Sequence, residues 1–560
     1  MGLSRFTKRS TGPVPVPARK APTATPGGAQ GPARRALALE IEARNLATAG
    51  NHEEAIELFQ QAAAILRPQL RVDAIATQVL VATLLGLARS LSETGRTREA
   101  ITAGQEATPL AIEWAAGTGV RPAKVLLLLN LLVLAKNIDT VGTPEEKLEF
   151  SLEAIRLLRE YGPEGYEKDL LLLTVLTLAA GNLHTLGRAE EAEPILQQAI
   201  ECGLELKSRL NAPPSTAVPG GRGGLAATFN SLGSVLCRFS RREEACEWQE
   251  LSIDLRRAIA AKTPDRDERE LAAALTCYGW NLEALDRPEE MVAAGLEAVQ
   301  ILRRSKVGTP QDDAVLRDAV NLAANGLAKV GRTAEALTYR RESIDLLRAP
   351  AAQDPATHQQ VLARYLAALA ALHGKLDQVE EAVEAGRECR SLVQDPTLVA
   401  TASSCANISD NIHHLFHHLR RLDREREAIV WQELAIELQR TALAQEPERE
   451  TGVLARRLNC HAWTLFELDM PQNALAPAQE AVALLRAIGP AESDASRERL
   501  SATLDTLANV LAALGRTEEA IPLAREAAAL MRAISQRNPS RYETNIKARE
   551  QFLAKLESEE

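Results

Sequence analysis

The segment Leu514-Gly515-Arg516-Thr517-Glu518-Glu519-Ala520-Ile521 has three close copies further towards the amino terminus. In each copy, a glycine and an arginine are followed by at least one acidic residue and then by an alanine, which we call the closing alanine. Internal repetition of this kind determines the architecture, so it has to be examined before any single motif. The copies span 94–100, 186–192 and 330–337.

The closing alanine, called the marker below, defines a long and regular repeat. Successive markers are 45 to 47 residues apart, with one step of 53. A chain of 560 residues is too long for one compact core, and this period indicates an array of stacked units. The markers and their equivalents are Ala55, Ala100, Lys147, Ala192, Ala245, Met291, Ala336, Ala382, Ala428, Ala474 and Ala520.

The sequence of each repeat predicts two helices. Before the marker, apolar residues recur at i, i+3, i+4 and i+7, which predicts a first helix with one buried stripe, as in Leu504, Leu507, Ala508 and Leu511. Seven residues after the marker stands a small side chain on the same face of a second helix, where another helix can approach closely. These seam residues are Ala62, Ala107, Ala154, Ala199, Ser252, Ala298, Ser343, Cys389, Ala435, Ala481 and Ala527.

The turn and the composition agree with helices. Glycine between the two helices is suited to the left-handed C-cap that ends the first helix. Ala, Leu, Glu and Arg dominate, whereas aromatic residues are only 3% of the chain. These residues lose little rotamer freedom in a helix, so the sequence predicts an all-α fold and makes a β-rich fold unlikely to form.

The repeat resembles the tetratricopeptide repeat (TPR) family from Ala36 to about Glu560. The resemblance rests on the seam residues, the glycine at the turn, and small residues in the middle of the first helix, such as Gly233, Gly279 and Ala324. The repeats are longer than the usual TPR and are similar to those of kinesin light chains and large bacterial TPR proteins. The resemblance implies a right-handed solenoid of about eleven antiparallel helix hairpins, whose first helices line a concave groove for a protein or peptide partner.

The pattern also predicts a domain organisation. Residues 1–35 are basic and rich in proline, which is typical of a disordered tail; contact with anionic lipid or nucleic acid is the alternative. We expect about four repeats in 36–210, a proline- and glycine-rich loop or hinge in 211–224, and about seven repeats in 225–540. Residues 541–560 should form a charged capping helix.

A second repeat of higher order is present in the carboxyl-terminal part. The pair Cys277 and Trp280 is matched by Cys460 and Trp463, and Trp248 is matched by Trp431, all at an offset of 183 residues. This offset is close to four periods and indicates duplication of a four-repeat block. We expect Trp248 and Trp431 to pack against a neighbouring repeat, since large aromatic side chains commonly anchor helix contacts.

The candidate binding face lies beside the buried stripe of each first helix, at i+1 and i+5. This face is mostly polar, and its amides could bond the backbone of an extended peptide while its tryptophans offer flat apolar platforms. The alternative is that these positions are merely solvated or half-buried between repeats. The candidate groove residues are Asn230, Trp280, Asn321, Asn325, His413, His417, Asn459, Trp463 and Asn509.

Two histidine pairs within 413–418 have the i, i+4 spacing that can chelate zinc or nickel. No glutamate stands in the H-E-x-x-H position, and Cys405 and Asp410 complete no recognisable ligand set. We therefore interpret these histidines as facing solvent or the groove, and expect no metal and no cofactor.

Other features favour a binding protein over an enzyme. The glycines of 220–224 lack the lysine of a phosphate-binding loop, and no catalytic signature is present. A net charge of −10 and seven scattered cysteines indicate no nucleic-acid partner and a reducing cytoplasm. The apolar runs 125–135 and 170–180 are too short to span a membrane. The leading hypothesis is a cytoplasmic scaffold or adaptor; the alternatives are a peptide-responsive regulator and, least favoured, an enzyme without a recognisable motif.

Overall fold

A computed structural model describes residues 31–70, 74–118, 121–210, 221–261, 264–304, 310–394, 401–489, 493–536 and 539–559. Within these ranges the chain is helical and contains no strand. The fold class predicted from the sequence is therefore confirmed. The helices are α1 (Pro32–Thr48), α2 (His52–Leu66), α3 (Ala74–Glu93), α4 (Thr97–Thr118), α5 (Arg121–Val141), α6 (Pro144–Tyr161), α7 (Tyr166–Thr185), α8 (Ala189–Ser208), α9 (Gly221–Arg238), α10 (Arg242–Ala260), α11 (Pro264–Ala284), α12 (Pro288–Arg304), α13 (Pro310–Lys329), α14 (Thr333–Gln353), α15 (Pro355–Lys375), α16 (Val379–Val393), α17 (Ala402–Arg421), α18 (Glu425–Gln445), α19 (Pro447–Glu467), α20 (Pro471–Ala487), α21 (Asp494–Ala513), α22 (Thr517–Ser535) and α23 (Pro539–Glu559).

The described residues form two compact units, and the first unit ends at Asp286 and the second begins at Arg287. In the first unit, five hairpins run from α1 to α10 and are followed by α11. In the second unit, α12 is followed by five hairpins from α13 to α22, and α23 packs on α22. Within each unit, each helix contacts the next, and helices of adjacent hairpins, such as α1 and α3 or α15 and α17, are also in contact. This is the stacking of a TPR-type solenoid.

The seam in the second helices is fully buried. All eleven seam side chains have 0% exposure. In three hairpins a serine bridges the seam and the first helix through a hydrogen bond to a backbone carbonyl. Ser252 Oγ donates to the carbonyl of Ala226, and Ser409 Oγ donates to that of Ala435, both at 2.6 Å. Such bonds require the two helix backbones to lie close together, so a small residue at the seam is a packing requirement.

In nine hairpin turns and in the connection from α11 to α12, the residue five positions before the marker lies in the left-handed region, with φ between 54° and 88°. Glycine occupies five of these positions, as the sequence predicted. Ser240 and four aspartates occupy the other five, at a steric cost that glycine avoids. The aspartates are Asp286, Asp377, Asp423 and Asp469.

Ion pairs link adjacent hairpins in a repeated register. An arginine twelve residues after one marker reaches a glutamate six residues after the next, as in Arg67 with Glu106 at 2.7 Å and Arg440 with Glu480 at 2.6 Å. Both partners are exposed, so each pair contributes at most about 1 kcal/mol. The same register recurs in Arg303–Glu342, Arg348–Glu388 and Arg486–Glu526.

Three sequence-predicted boundaries need correction. Helix α1 begins at Pro32, so 32–35 are not part of a tail, and residues 1–30 lie outside the described residues. Helix α9 begins at Gly221, and 211–220 also lie outside the described residues. The capping helix α23 begins at Pro539 and buries Leu556.

The first unit extends beyond 211–224, where the sequence predicts a loop or hinge. Phe229 and Trp248, which follow it, share one core with Leu176 and Ala199, which precede it. The apolar faces on its two sides are buried against each other, so the first unit continues to Asp286.

One helix segment, Ile75–Glu93 in α3, is long and apolar enough by length and composition to cross a membrane. Most of it is buried among the neighbouring helices, as expected for a core helix. Val81, Leu84 and Leu91, for example, are almost completely inaccessible to solvent.

Candidate functional site

The nine candidate residues all lie on first helices, or on α11, which has the same register. In the first unit, Asn230 is on α9 and Trp280 on α11. In the second unit, the remaining seven are on α13, α17, α19 and α21. Most are half-buried; Asn321 and His413 are buried, and His417 is exposed. The face that they mark is thus partly shielded and not a uniformly open polar surface.

Two of the amides are engaged within the protein. Asn321 and Asn325 on α13 both accept hydrogen bonds from the guanidinium group of Arg340 on α14. Arg340 is buried and lies over the ring of Tyr365, 5.1 Å from its centroid. Since a buried guanidinium group is costly without hydrogen-bonded partners, the structure gives these two asparagines a packing role.

Two other amides carry unused acceptors. Asn230 Oδ1 in the first unit and Asn459 Oδ1 in the second are buried and accept no hydrogen bond from the described residues. A buried acceptor without a partner costs about 1–3 kcal/mol, so each can gain from an incoming donor. Asn509 makes a hydrogen bond within its own helix: its amide nitrogen donates to the carbonyl of Asp505 at 2.8 Å.

The tryptophans fall into two groups. Trp248 and Trp431 are buried against Gly203 and Gly386, each on the second helix of the preceding hairpin. This confirms the packing role expected for them, and the two glycines are again 183 residues apart. Trp463 is only half-buried and lies one turn from Asn459, with its indole nitrogen donating to Glu467 at 2.7 Å. Its ring remains partly open to a partner.

A cluster of three metal-ligating side chains lies on the same face of the second unit. His413 and His417 on α17 have their Nε2 atoms 3.1 Å apart, and Cys460 on α19 completes the cluster. The three ligand atoms lie within 4.8 Å of one another. We call His413, His417 and Cys460 the histidine–cysteine cluster.

A buried glutamine holds one ring of this cluster. Gln432 on α18 donates its amide hydrogen to the backbone carbonyl of Arg457 at 2.8 Å, which leaves its Oε1 facing His413 Nδ1 at 2.7 Å. An amide oxygen only accepts, so Nδ1 of His413 carries the proton and its Nε2 presents a lone pair.

The surroundings of the histidine–cysteine cluster keep its groups uncharged. Burial lowers the pKa of His413 to about 3, although the hydrogen bond to Gln432 opposes the shift. Partial desolvation of the ring by its neighbours, followed by the charge of Arg420, also lowers the pKa of His417. Burial raises the pKa of the Cys460 thiol despite the guanidinium groups of Arg456, Arg420 and Arg457. At neutral pH, both imidazoles are therefore neutral.

Sequence reasoning missed Cys460 and Gln432 because it sought ligands near 413–418 along the chain. The position of Cys460 in the repeat could have revealed its proximity to His413. Cys460 lies fourteen residues before the marker of its repeat, and His413 lies fifteen residues before the marker of the preceding repeat. Equivalent positions on adjacent first helices lie side by side in a stacked array.

These features define an all-α repeat protein of stacked helix hairpins, a class that commonly serves as a scaffold for protein interactions. Two segments, 225–261 and 500–539, match the family described as Tetratricopeptide repeat. These two segments are thus similar to tetratricopeptide repeats, in agreement with the resemblance noted in the sequence.

Three solved structures that match the chain are distant in sequence. BtubC (BKLC) from P. vanneervenii is 18% identical, over 44% of this chain and 92% of that protein, with a TM-score of 0.33. A protein from Podosopora anserina described as a kinesin light chain with nearly identical TPR-like repeats is 21% identical, over 42% and 99%, with a TM-score of 0.27. RapI in its apo form is 11% identical, over 73% and 97%, with a TM-score of 0.44. No curated protein sequence matches the chain.

Proposed function

We propose that this protein is a non-enzymatic, cytoplasmic interaction scaffold that binds an extended peptide segment of a partner protein along the polar face of its first helices. The observation that carries the proposal is the pair Asn459 and Trp463 on α19. Asn459 offers a buried amide oxygen with no donor among the described residues, and Trp463 offers a partly open ring one turn away.

The two side chains suit one peptide backbone. When the half-buried side chain of Asn459 rotates towards the groove, a peptide N–H can donate to its Oδ1, while an apolar side chain of the same peptide covers the indole of Trp463. Residues four apart on a helix lie on the same face, so both contacts can be made at once. Partly buried tryptophans of this kind are typical hot spots of protein interfaces.

A further feature supports the proposed location. All seven cysteines are free, which is compatible with the reducing cytoplasm that we propose as its location.

The test is a selection of peptides from a random displayed library on the full-length chain, followed by affinity measurement on variants. Asn459→Ala combined with Trp463→Ala should weaken the selected peptides about 30-fold, the equivalent of about 2 kcal/mol at a hot spot. The matched control is Gln472→Ala with Gln479→Ala, because both glutamines are exposed on α20 of the same hairpin. Circular dichroism should show both variants to be folded.

The outcome that contradicts the proposal is equally clear. If the selected peptides bind the folded Asn459/Trp463 variant as tightly as the wild type, or lose affinity only with the α20 control, the first-helix face is not the binding surface.

A further inference from the structure

We propose that His413, His417 and Cys460 form a zinc-binding site in the second unit. The proposal is independent of peptide binding, because it concerns the chain alone. It rests on the convergence of two ring nitrogens and one sulfur from two adjacent first helices, within 4.8 Å of one another. Imidazole nitrogens and cysteine thiolates are both ordinary protein ligands of zinc, and sites with three protein ligands take water or a substrate in the fourth position.

The separations are close to those that a bound zinc ion would require. With Zn–N bonds of about 2.0–2.1 Å and tetrahedral angles, two coordinated nitrogens lie about 3.4 Å apart, and a nitrogen and a sulfur about 3.5 Å apart. The two Nε2 atoms are 3.1 Å apart. Because Cys460 Sγ and one nitrogen of each ring lie within 4.8 Å of one another, a side-chain adjustment of about 1 Å brings the three ligands to the separations that zinc requires.

The supporting hydrogen bonds have the arrangement expected around a metal ligand. Gln432 fixes His413 with Nδ1 protonated and with the lone pair of Nε2 directed at His417. Metal-bound histidines almost always donate their other ring N–H to an acceptor of this type. Because Nε2 of His413 can only accept, the hydrogen of the 3.1 Å contact between the rings comes from Nε2 of His417.

Zinc binding requires a simple exchange of protons. The ion displaces the thiol proton of Cys460, which leaves to solvent. It also takes the place of the proton between the two rings, and His417, which is exposed, carries a proton on Nδ1 instead. No bond other than these X–H bonds is broken, and no oxidation occurs.

Positive charge near the cluster is largely compensated. Of the three neighbouring arginines, Arg457 pairs with Asp410 at 2.5 Å and Arg420 pairs with Glu467, while Arg456 is exposed to solvent. Those guanidinium groups favour the thiolate form of Cys460 that zinc needs. Solvent screens the charge of Arg456, which limits its repulsion of a cation.

The duplicated block offers an internal comparison. At the offset of 183 residues, the counterparts in the first unit are Asn230, Ser234 and Cys277, so the cysteine is shared but both histidines are absent. The same helix register therefore accommodates asparagine and serine, and these residues are conservative replacements for the two histidines.

The experiment measures metal binding by the full-length chain without a polyhistidine tag. After equilibrium dialysis against zinc, we expect roughly one ion per chain. Cobalt(II) should give a sulfur-to-cobalt charge-transfer band in the near ultraviolet. Cys460→Ser should abolish that band and weaken zinc binding at least about tenfold, and His413→Asn with His417→Ser should abolish binding. His414→Ala, on the same helix and exposed, is the matched control and should bind as the wild type does.

Each contrary result overturns the proposal. It fails if the wild type retains no zinc above background, if Cys460→Ser keeps the charge-transfer band, or if His414→Ala removes as much metal as the cluster variants. Circular dichroism of each variant separates loss of ligand from loss of fold.

Discussion

Gly295→Ala should destabilise the second unit although alanine is the better helix former. In a helix interior, alanine is favoured over glycine by about 1 kcal/mol. At Gly295 on α12, however, an added Cβ would lie 2.9 Å from the backbone nitrogen of Ala323 on α13 and 3.0 Å from its Cα. Backbone atoms cannot rotate away, so the two helices must separate. Overpacking of this kind costs about 1–3 kcal/mol, which leaves a net loss of about 1 kcal/mol.

Gly452→Ala is the matched control in the same unit. At Gly452 on α19, the added Cβ would meet only Arg499 Nη1 and Ile488 Cδ1, both at 3.8 Å, which is ordinary contact. Helix propensity then acts unopposed, and the variant should gain about 0.5–1 kcal/mol.

Hydrogen exchange with mass spectrometry is the appropriate assay, because stability in a stacked array is local to each repeat and its neighbours. Amides of α12 and α13 should exchange about fivefold faster in Gly295→Ala, the equivalent of about 1 kcal/mol. Amides of α19 should exchange more slowly in Gly452→Ala. Slower exchange of α12 and α13 in Gly295→Ala would refute the close approach of these helices.

Three further predictions follow from the turns and the buried polar groups. Asp469→Gly should stabilise the second unit by about 0.5–1 kcal/mol in urea denaturation, since Asp469 has φ 60°; a loss of stability would contradict the turn assignment. Gln432→Leu should weaken zinc binding about 10–100-fold in dialysis, because His413 loses its acceptor; unchanged affinity would show that the glutamine does not position the ring. Burial lowers the pKa of His373 below its ordinary value of 6.5, because the folded protein favours the neutral imidazole. Above pH 6.5 the imidazole is neutral in both the folded and the unfolded chain, and the stability is at its full value. As the pH falls from 6.5 towards the pKa of the folded state, only the unfolded chain takes up the proton, so the folded state is progressively destabilised. His373→Gln should therefore flatten the decline of the urea midpoint below pH 6.5, and an unchanged decline would exclude this histidine as its source.

The fold was largely predictable because its main determinants are local and periodic. The marker and seam residues recur at fixed spacing, and a small side chain at a helix crossing leaves few alternatives to close packing. Left-handed turns were predictable where glycine occurs but not at Asp423 or Ser240, since aspartate and serine adopt that conformation only when the surrounding hairpin requires it. The boundary after Asp286 depends on contact density, which no local pattern reports.

The candidate site was less predictable because its contacts cross between helices. The register placed Asn321 and Asn459 on equivalent positions, yet one bonds a buried arginine and the other has an unused acceptor. The asparagine at this position is engaged only where a side chain such as Arg340 reaches it from the second helix of the hairpin. Likewise, the histidine pair was evident from its spacing, whereas Cys460 joins it only through stacking of the next hairpin.

The claim that the first-helix face is the binding surface can be tested most directly by photocrosslinking. A photoreactive aromatic amino acid would replace Trp463 on α19 in one protein and Gln479 on α20 in another, and each would be irradiated with a peptide selected on the wild type. We expect crosslinks, mapped by mass spectrometry, from position 463 and none from position 479. Crosslinks from position 479 alone would contradict the proposed binding surface.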